Sequence, residues 1–534
     1  MRRLWTGLSF LLILAFALAA CAPPSADVLQ PPAAAPAAPA AQSAPAVQPA
    51  ADAEVVLRII TPQNTNLEPQ LHASGAQRVL TTNIYENLVA LSPDGMDILP
   101  QLAVSWERID DLTYEFKLRE GVTFHSGDPF TAEAVKYSFE RYLNPDNQPP
   151  QLSQFTFQVP EIVDDYTVRI RSLEKPDPLF LKKMAGTPAT IVNPRFAEEQ
   201  GLPGMQQNAD GTGPYRLVSW ALDGEIVLEA TDTYWGDKPQ ITRVIQTAVA
   251  EPATRVAALL AGEAHLITAV PPTEAEAIAR ASGVRLAEVI GNRVSFYPLI
   301  TNKAPTDSKE LRQALNYASN IDAIIDFVLS GRGYRVAAMS LPHYFGFNPD
   351  LAPYPYDPDK AAELMAAAGY AGEAIEMTQL VGRIPYDKEV GEALAGELEK
   401  AGFNIELKFV DVGAAGQALW ENPDLKGFHH ITWGTATLDG DYAICEYWHS
   451  ESFFATRSHH YNNPEFDALC RDARTELDVD KRRQMYWEAE AMIHDDAVAI
   501  WGYAVQLLFG ATDNLEWAPR PDELVLYKDM RLNQ

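Results

Sequence analysis

The sequence predicts a large α/β protein of more than one domain, and three observations carry that prediction. At 534 residues the chain exceeds what one hydrophobic core ordinarily organises. Strand-like and helix-like stretches alternate along it without a short repeat. Its composition, with 47% apolar and 21% charged residues, is that of an ordinary globular protein.

The first 21 residues stand apart. Arg2-Arg3, the apolar run Leu8 to Ala20 and then Cys21 form a signal-peptide pattern, because the run is too short to cross a bilayer. Residues 22–53 are almost wholly Ala, Pro, Ser and Gln, which bury no core and form a semi-extended spacer. The folded body is expected from about Glu54.

Within the body, Val55 to Ile60 reads as a buried strand and Leu112 to Leu118 as an alternating one. Thr131 is placed to cap a helix through Ala132–Lys136, with Glu133 in its first turn. Asp357 as N-cap, Pro358 at the first helical position, Ala361 to Ala368 as strong formers and Gly369 as terminator define the clearest helix. A further helix over Val390 to Ala401 is broken by Gly402 and followed by a strand over Ile405 to Val410, so one lobe should hold a mainly parallel sheet. Gly121, Gly127, Pro129, Gly211, Gly213 and Pro214 suit tight turns, and Trp106, Trp220 and Trp235 suit core packing.

A formal charge of −30 argues against nucleic acid as a partner, since phosphate backbones demand clustered cations. After Cys21 only Cys445 and Cys470 remain. Export permits a disulfide between them, but nothing in the sequence sets their distance, so the bond stays open. No nucleophile elbow, phosphate loop, HExxH or paired-cysteine site is present, and no cofactor is called for. Five of ten histidines, His429, His430, His449, His459 and His460, fall close together; imidazoles bind metals and haem, yet adjacent pairs lack the i, i+4 spacing of two ligands on one helix face, and no metal site is assigned.

Leu18-Ala19-Ala20-Cys21 resembles the bacterial lipobox, which implies lipidation of Cys21 and a membrane-anchored, extracytoplasmic protein. The segments ILPQLAVSWE (98–107), DLTYEFKLREGVTFHSGDPFTAEAVKYSFERYL (111–143), GTGPYRLVSW (211–220), TDTYWGDKP (231–239), AEPATRVAALLAGEAHLI (250–267), ELRQALNYASNIDAII (310–325), PYPYDPDKAAELMAAAGY (353–370) and YNNPEFDALCRDA (461–473) resemble the dipeptide, oligopeptide and nickel-binding proteins of ABC importers, in that family's order. The resemblance implies a two-lobe periplasmic-binding-protein fold of class II with an additional inserted domain. Lobe one would comprise 55–95, 213–298 and 504–534, the inserted domain 96–212 and lobe two 299–503. Chain crossings are expected near Phe296–Asn302 and Ile500–Val505.

The implied function is capture of a peptide- or oligosaccharide-like solute by hinge closure and its delivery to the permease subunits of an ABC importer, by a monomer. A nickel, metal-complex or haem carrier of the same family is one alternative; a secreted hydrolase using Asp439 and Asp441, or a sensor-linked lipoprotein, are alternatives of another class. Trp433, Thr435, Ala436, Thr437, Asp439, Asp441 and Tyr442 resemble the family's cleft stretch. Peptide binders place an aspartate three residues after the tryptophan for the ligand's ammonium, where this chain has Ala436. Arg383 stands where dipeptide binders carry an arginine for the ligand's carboxylate, which a guanidinium holds in a forked geometry. Together these residues predict a neutral or anionic ligand without a free ammonium.

Overall fold

The computed structural model describes residues 54–71, 75–149, 155–173, 175–435 and 437–533. The expectations for Cys21, the signal segment, the spacer and Ala436 lie outside those residues. From Glu54 onward the chain forms one compact unit.

The largest sheet has nine strands. Val56–Thr61 lies parallel to Arg243–Ala248 on one side and to Leu266–Ile267 on the other. Glu225–Ala230 and Tyr215–Ser219 extend it antiparallel, and Leu266–Ile267 leads into the antiparallel pair Ala499–Thr512 and Val284–Pro298. Leu57, Ile59, Ile226, Leu228, Val244 and Leu266 are buried from it into the core of lobe one. A separate sheet in lobe two is wholly parallel: Ala374–Val381 is flanked by Asn404–Asp411 and Phe428–His429. The helix Asp387–Lys400 makes the crossover between the first two and buries Val390, Leu394 and Leu398, as a parallel pair requires.

A third sheet, antiparallel and four-stranded, contains Ala103–Arg108, Thr113–Leu118, Thr167–Arg171 and Glu161–Asp164. The helix Ala132–Leu143 packs Val135, Phe139 and Tyr142 against its Phe116, Val168 and Ile170. Thr131 occupies the N-cap position of that helix, but its hydroxyl makes no capping bond. By contrast Asp357 caps Pro358–Ala367 through the Lys360 amide, and Gly369 ends that helix at φ +70°, a conformation that favours glycine. Side chains cross the expected domain edges: Leu88 and Val89 pack in the core of this small sheet, whereas Ala197 and Met205 pack in that of lobe one. Trp106 and Trp235 pack against the small-sheet core and Trp220 against that of lobe one.

Val284–Pro298 and Ala499–Thr512 link the lobes. Their outer parts place Ala287, Phe509 and Ala511 in the lobe-one core, and their inner parts place Val294, Phe296, Trp501 and Ala504 in the lobe-two core. The pairing slips between Ile290 and Val294. A bulge of this kind re-aims side chains, and Asn292 and Arg293 from this stretch line the interlobe cavity. Gly211 and Gly213 are required for close approach rather than for a turn conformation: a Cβ would lie 2.0 and 2.7 Å from the Ile84 carbonyl oxygen.

Candidate functional site

A cavity of about 790 Å³, within the size range of small-molecule sites, is lined by residues from 70–188, 292–293, 383, 432–482 and 523. One wall is built by the strand Ile431–Gly434, which pairs with the bulged strand so that Trp433 faces Val294 and Gly434 faces Arg293. Only glycine fits at 434, because a Cβ would stand 2.0 Å from the Asn292 carbonyl oxygen. That close approach brings Thr432, Trp433, Gly434, Asn292 and Arg293 to one wall.

Six of the eight residues expected at the site line this cavity: Arg383, Trp433, Thr435, Thr437, Asp441 and Tyr442. Trp433 and Tyr442 stack with centroids 5.1 Å apart and planes 8° from parallel, and the Trp433 indole donates to the Tyr442 carbonyl at 3.1 Å. The pair is thus a rigid aromatic surface. Thr435 and Thr437 share a hydroxyl bond of 2.7 Å, while the Thr437 amide donates to the Thr435 hydroxyl at 3.1 Å. Ala436 between them is outside the described residues.

Asp439 needs correction. Its carboxylate accepts from both terminal nitrogens of Arg482, at 3.0 and 2.6 Å, and the residue is 1% exposed behind the wall. It does not line the cavity, and its turn also holds the Asp441 amide at 3.0 Å. A forked, desolvated pair of this kind serves packing, because separating it leaves a buried charge uncompensated. Asp441 does face the cavity, but Arg474 donates to it at 2.7 Å and to Glu446 at 2.9 Å. The two aspartates therefore form no pair across a shared substrate position.

Arg383 is positioned differently. Gly382, at φ +88°, turns the chain out of the strand Ala374–Val381. The buried Asp387 carboxylate, in the first turn of Asp387–Lys400, then accepts from the Arg383 and Ile384 amides at 2.8 and 3.2 Å. With its backbone fixed, the Arg383 side chain donates Nε–H to the Thr432 hydroxyl at 2.9 Å. Among the described residues its terminal nitrogens have no acceptor and no carboxylate pairs with it. Partial burial lowers its pKa, and Arg293 nearby adds to the effect.

Residues that the sequence reading did not single out complete the walls. Lys175, Lys182 and Lys183 come from the small domain, Arg471 and Arg474 from the helix Pro464–Ala473 and its C-cap, and Arg78, Arg293, Arg482 and Glu523 from elsewhere. Nine cationic and four anionic side chains line the cavity. Each of the four carboxylates is already paired: Asp177 with Lys183, Asp441 and Glu446 with Arg474, and Glu523 with Arg293. Arg78, Lys175, Lys182, Arg383 and Arg471 have no carboxylate partner among the described residues. The one available signal was the adjacent pair Lys182-Lys183 in an otherwise acidic chain.

The clustered histidines lie elsewhere. His429, His430 and His459 are buried, and their imidazoles bond the Ser458 hydroxyl, the Ser295 hydroxyl and the Tyr447 carbonyl at 3.0–3.1 Å. Burial pushes their pKa values down to about 3, 4 and 3, with like-charge neighbours adding to it. None lines the cavity, and among the described residues no three metal-ligating side chains come together. Cys445 and Cys470, left open by the sequence, are disulfide-bonded.

Two further contacts join distant segments of the chain. Thr273 of lobe one shares a 2.5 Å hydroxyl bond with Tyr386 of lobe two. Lys182 of the small domain donates to the Leu438 carbonyl at 3.2 Å.

Residues 97–454 match the family described as bacterial extracellular solute-binding proteins, family 5 middle. The chain is 31% identical over 441 residues to heme-binding protein A of Haemophilus influenzae, covering 78% of this chain and 80% of that one. It is 29% identical over 472 residues to the dipeptide-binding protein of Escherichia coli, covering 81% and 86%. Its fold matches HbpA2 from Haemophilus parasuis with a TM-score of 0.81 at 23% identity, over 90% of this chain and all of that one. Among the described residues no helix is long and apolar enough to cross a membrane. With two thirds of its length matched by the family and two-lobe relatives throughout, the chain belongs to the extracellular solute-binding proteins of family 5, which serve ABC importers.

Proposed function

We propose that this protein is a lipid-anchored binding component that captures a peptide- or oligosaccharide-like solute, neutral or anionic and lacking a free ammonium, and presents it to its importer. The observation that carries the reading is the Arg383 guanidinium, fixed at its backbone and open at its terminal nitrogens, in a cavity whose carboxylates are all engaged. An ammonium placed there has cations around it and no unpaired carboxylate among the described residues. An unpaired ammonium in a dry cleft costs several kcal/mol, whereas a carboxylate gains a forked partner. The stacked Trp433 and Tyr442 faces suit a sugar ring or a peptide plane.

Lobe one would comprise 55–95, 213–298 and 504–534, the small domain 96–212 and lobe two 299–503, with Cys21 carrying the lipid. Ligand held between the lobes favours the closed form because both walls touch it only there, so closure is a population shift driven by that differential affinity. The protein acts as a binder rather than an enzyme: Asp439 and Asp441, the candidate carboxylate pair, are engaged by Arg482 and Arg474.

Native mass spectrometry of protein purified under mild conditions, followed by release of the ligand and treatment with an amine-specific reagent, tests the reading. A carboxylated or hydroxyl-rich compound that the reagent leaves unmodified is expected. A ligand whose primary amine reacts would refute it.

A further inference from the structure

We infer that the solute carries two separated anionic groups, one held by Arg383 and the second by Lys175 and Lys182 on the small domain. The inference rests on the reading above and adds the number and placement of the ligand's charges.

The chain has 72 acidic side chains against 42 lysines and arginines, so a cavity lined by nine cations and four paired carboxylates runs against the overall balance. Surface charge alone does not require such a concentration. Among the cations without a carboxylate partner, Arg383 is tied to the Thr432 hydroxyl and Lys182 to the Leu438 carbonyl, so the two are anchored at different points of the wall. Arg383 has Arg293 as its charged neighbour, and Arg293 is held by Glu523 at 3.1 Å. Lys182 instead lies near the Asp439–Arg482 pair, and its ammonium spends one donor on the Leu438 carbonyl, leaving two of its three protons for a ligand.

Lys182 is partly buried, and burial lowers its pKa despite the attraction of Asp439. Asp439 already serves Arg482 in a forked bond, so it does not neutralise a second cation in full. Lys175 has no hydrogen-bond or ionic partner among the described residues. Lys175 is exposed and Lys182 half-buried; when the cleft closes on a ligand and excludes water, Lys182 loses hydration that an anionic group restores. A single carboxylate at Arg383 leaves Lys175 and Lys182, like Arg78 and Arg471, without an anion; a second anionic group at Lys175 and Lys182 compensates the two cations of the 175–182 segment. Lysine, a compact point charge with rotatable donors, accepts any such group without the planar fork that Arg383 imposes.

Four probes on one tri-alanine scaffold test this by titration calorimetry. They are the N-succinyl peptide, a dianion; the N-succinamyl peptide, its monoanionic isostere with an amide in place of the distal carboxylate; the N-acetyl peptide; and the free peptide. We expect the succinyl probe to bind about tenfold or more tighter than the succinamyl one, with the advantage shrinking as salt is raised. In the Lys175→Gln/Lys182→Gln variant, checked for an unchanged melting temperature, the ratio of succinyl to succinamyl affinity should fall to about one. Equal affinities for the two isosteres, an advantage that survives the double substitution, or no measurable binding of the succinyl probe would each overturn the inference. Tighter binding of the free peptide than of the acetyl one would instead overturn the underlying functional reading.

Discussion

Two regions of the cavity wall, around Arg482 and around Arg383, use their arginines for opposite ends. Arg482 is buried in a forked bond to Asp439, which lies behind the wall, and bonds the Tyr486 hydroxyl as well. Arg383, by contrast, is held by its backbone and one Nε–H bond, with its terminal nitrogens unspent among the described residues. One guanidinium is satisfied before any ligand arrives; the other is left for the ligand. Residue type is shared, and the difference lies in which carboxylates the fold delivers to each.

The largest effect expected from that contrast is on stability. Asp439→Ala leaves Arg482 buried without its partner and should cost about 3–5 kcal/mol, read as a lower melting temperature. The Asp439→Leu/Arg482→Met variant should recover most of the loss. A melting temperature unchanged in Asp439→Ala would break the comparison.

The disulfide comes next. Cys445 follows the cleft stretch, and Cys470 lies on the helix that carries Arg471 toward the cavity. Closing a separation of 25 residues stabilises by about 3.5 kcal/mol through the unfolded chain. Cys445→Ser/Cys470→Ser should therefore melt lower by a comparable amount and loosen this wall, seen as faster amide exchange over 464–473.

Arg383→Gln should act on affinity alone. Loss of a charge-assisted partner costs about 1.5–3 kcal/mol in binding, roughly tenfold or greater, without a matching fall in melting temperature. Equal losses in both readouts would assign Arg383 to packing, as for Arg482.

Much of the fold was legible in the sequence because it is written in local chemistry. Asp357, Pro358 and Gly369 punctuate a helix through capping and a positive φ, and the helix-then-strand run over 387–411 makes a parallel crossover. The cleft stretch was legible through Trp433, Thr437, Asp441 and Tyr442, all of which face the cavity. Asp439 was misread because its fate depends on Arg482, 43 residues away, and no local pattern reports that pairing. The cations of the small domain were missed for the same reason. Lys175 and Lys182 share a cavity with Arg383 only through the packing of three separate cores. The histidine cluster was a true cluster in sequence, but the chain divides it among separate internal partners.

Those histidines provide the smallest predicted effect. Their folded pKa values lie near 3–4, below the unfolded value of about 6.5. Below pH 6.5 the unfolded imidazoles take up protons that the folded ones refuse. The associated stability is therefore complete above pH 6.5 and falls as pH drops, by up to about 1.4 kcal/mol per pH unit per imidazole. Glu86 and Glu490, each raised by burial to about 7, act with opposite sign between pH 4.5 and 7. The difference between proteins isolates the imidazole: His459→Gln should show a shallower loss of stability from pH 6.5 to 5 than the parent chain. An unchanged slope would contradict the buried, neutral state of His459.

The most direct measurement of the central claim is titration calorimetry of this protein with matched free and N-acetylated di- to pentapeptides and with oligosaccharides. The account predicts that acetylation strengthens peptide binding, or that oligosaccharides outbind free peptides, because the cavity offers cations and aromatic faces but no unpaired carboxylate among the described residues. Submicromolar binding of an unblocked peptide that acetylation weakens would contradict it.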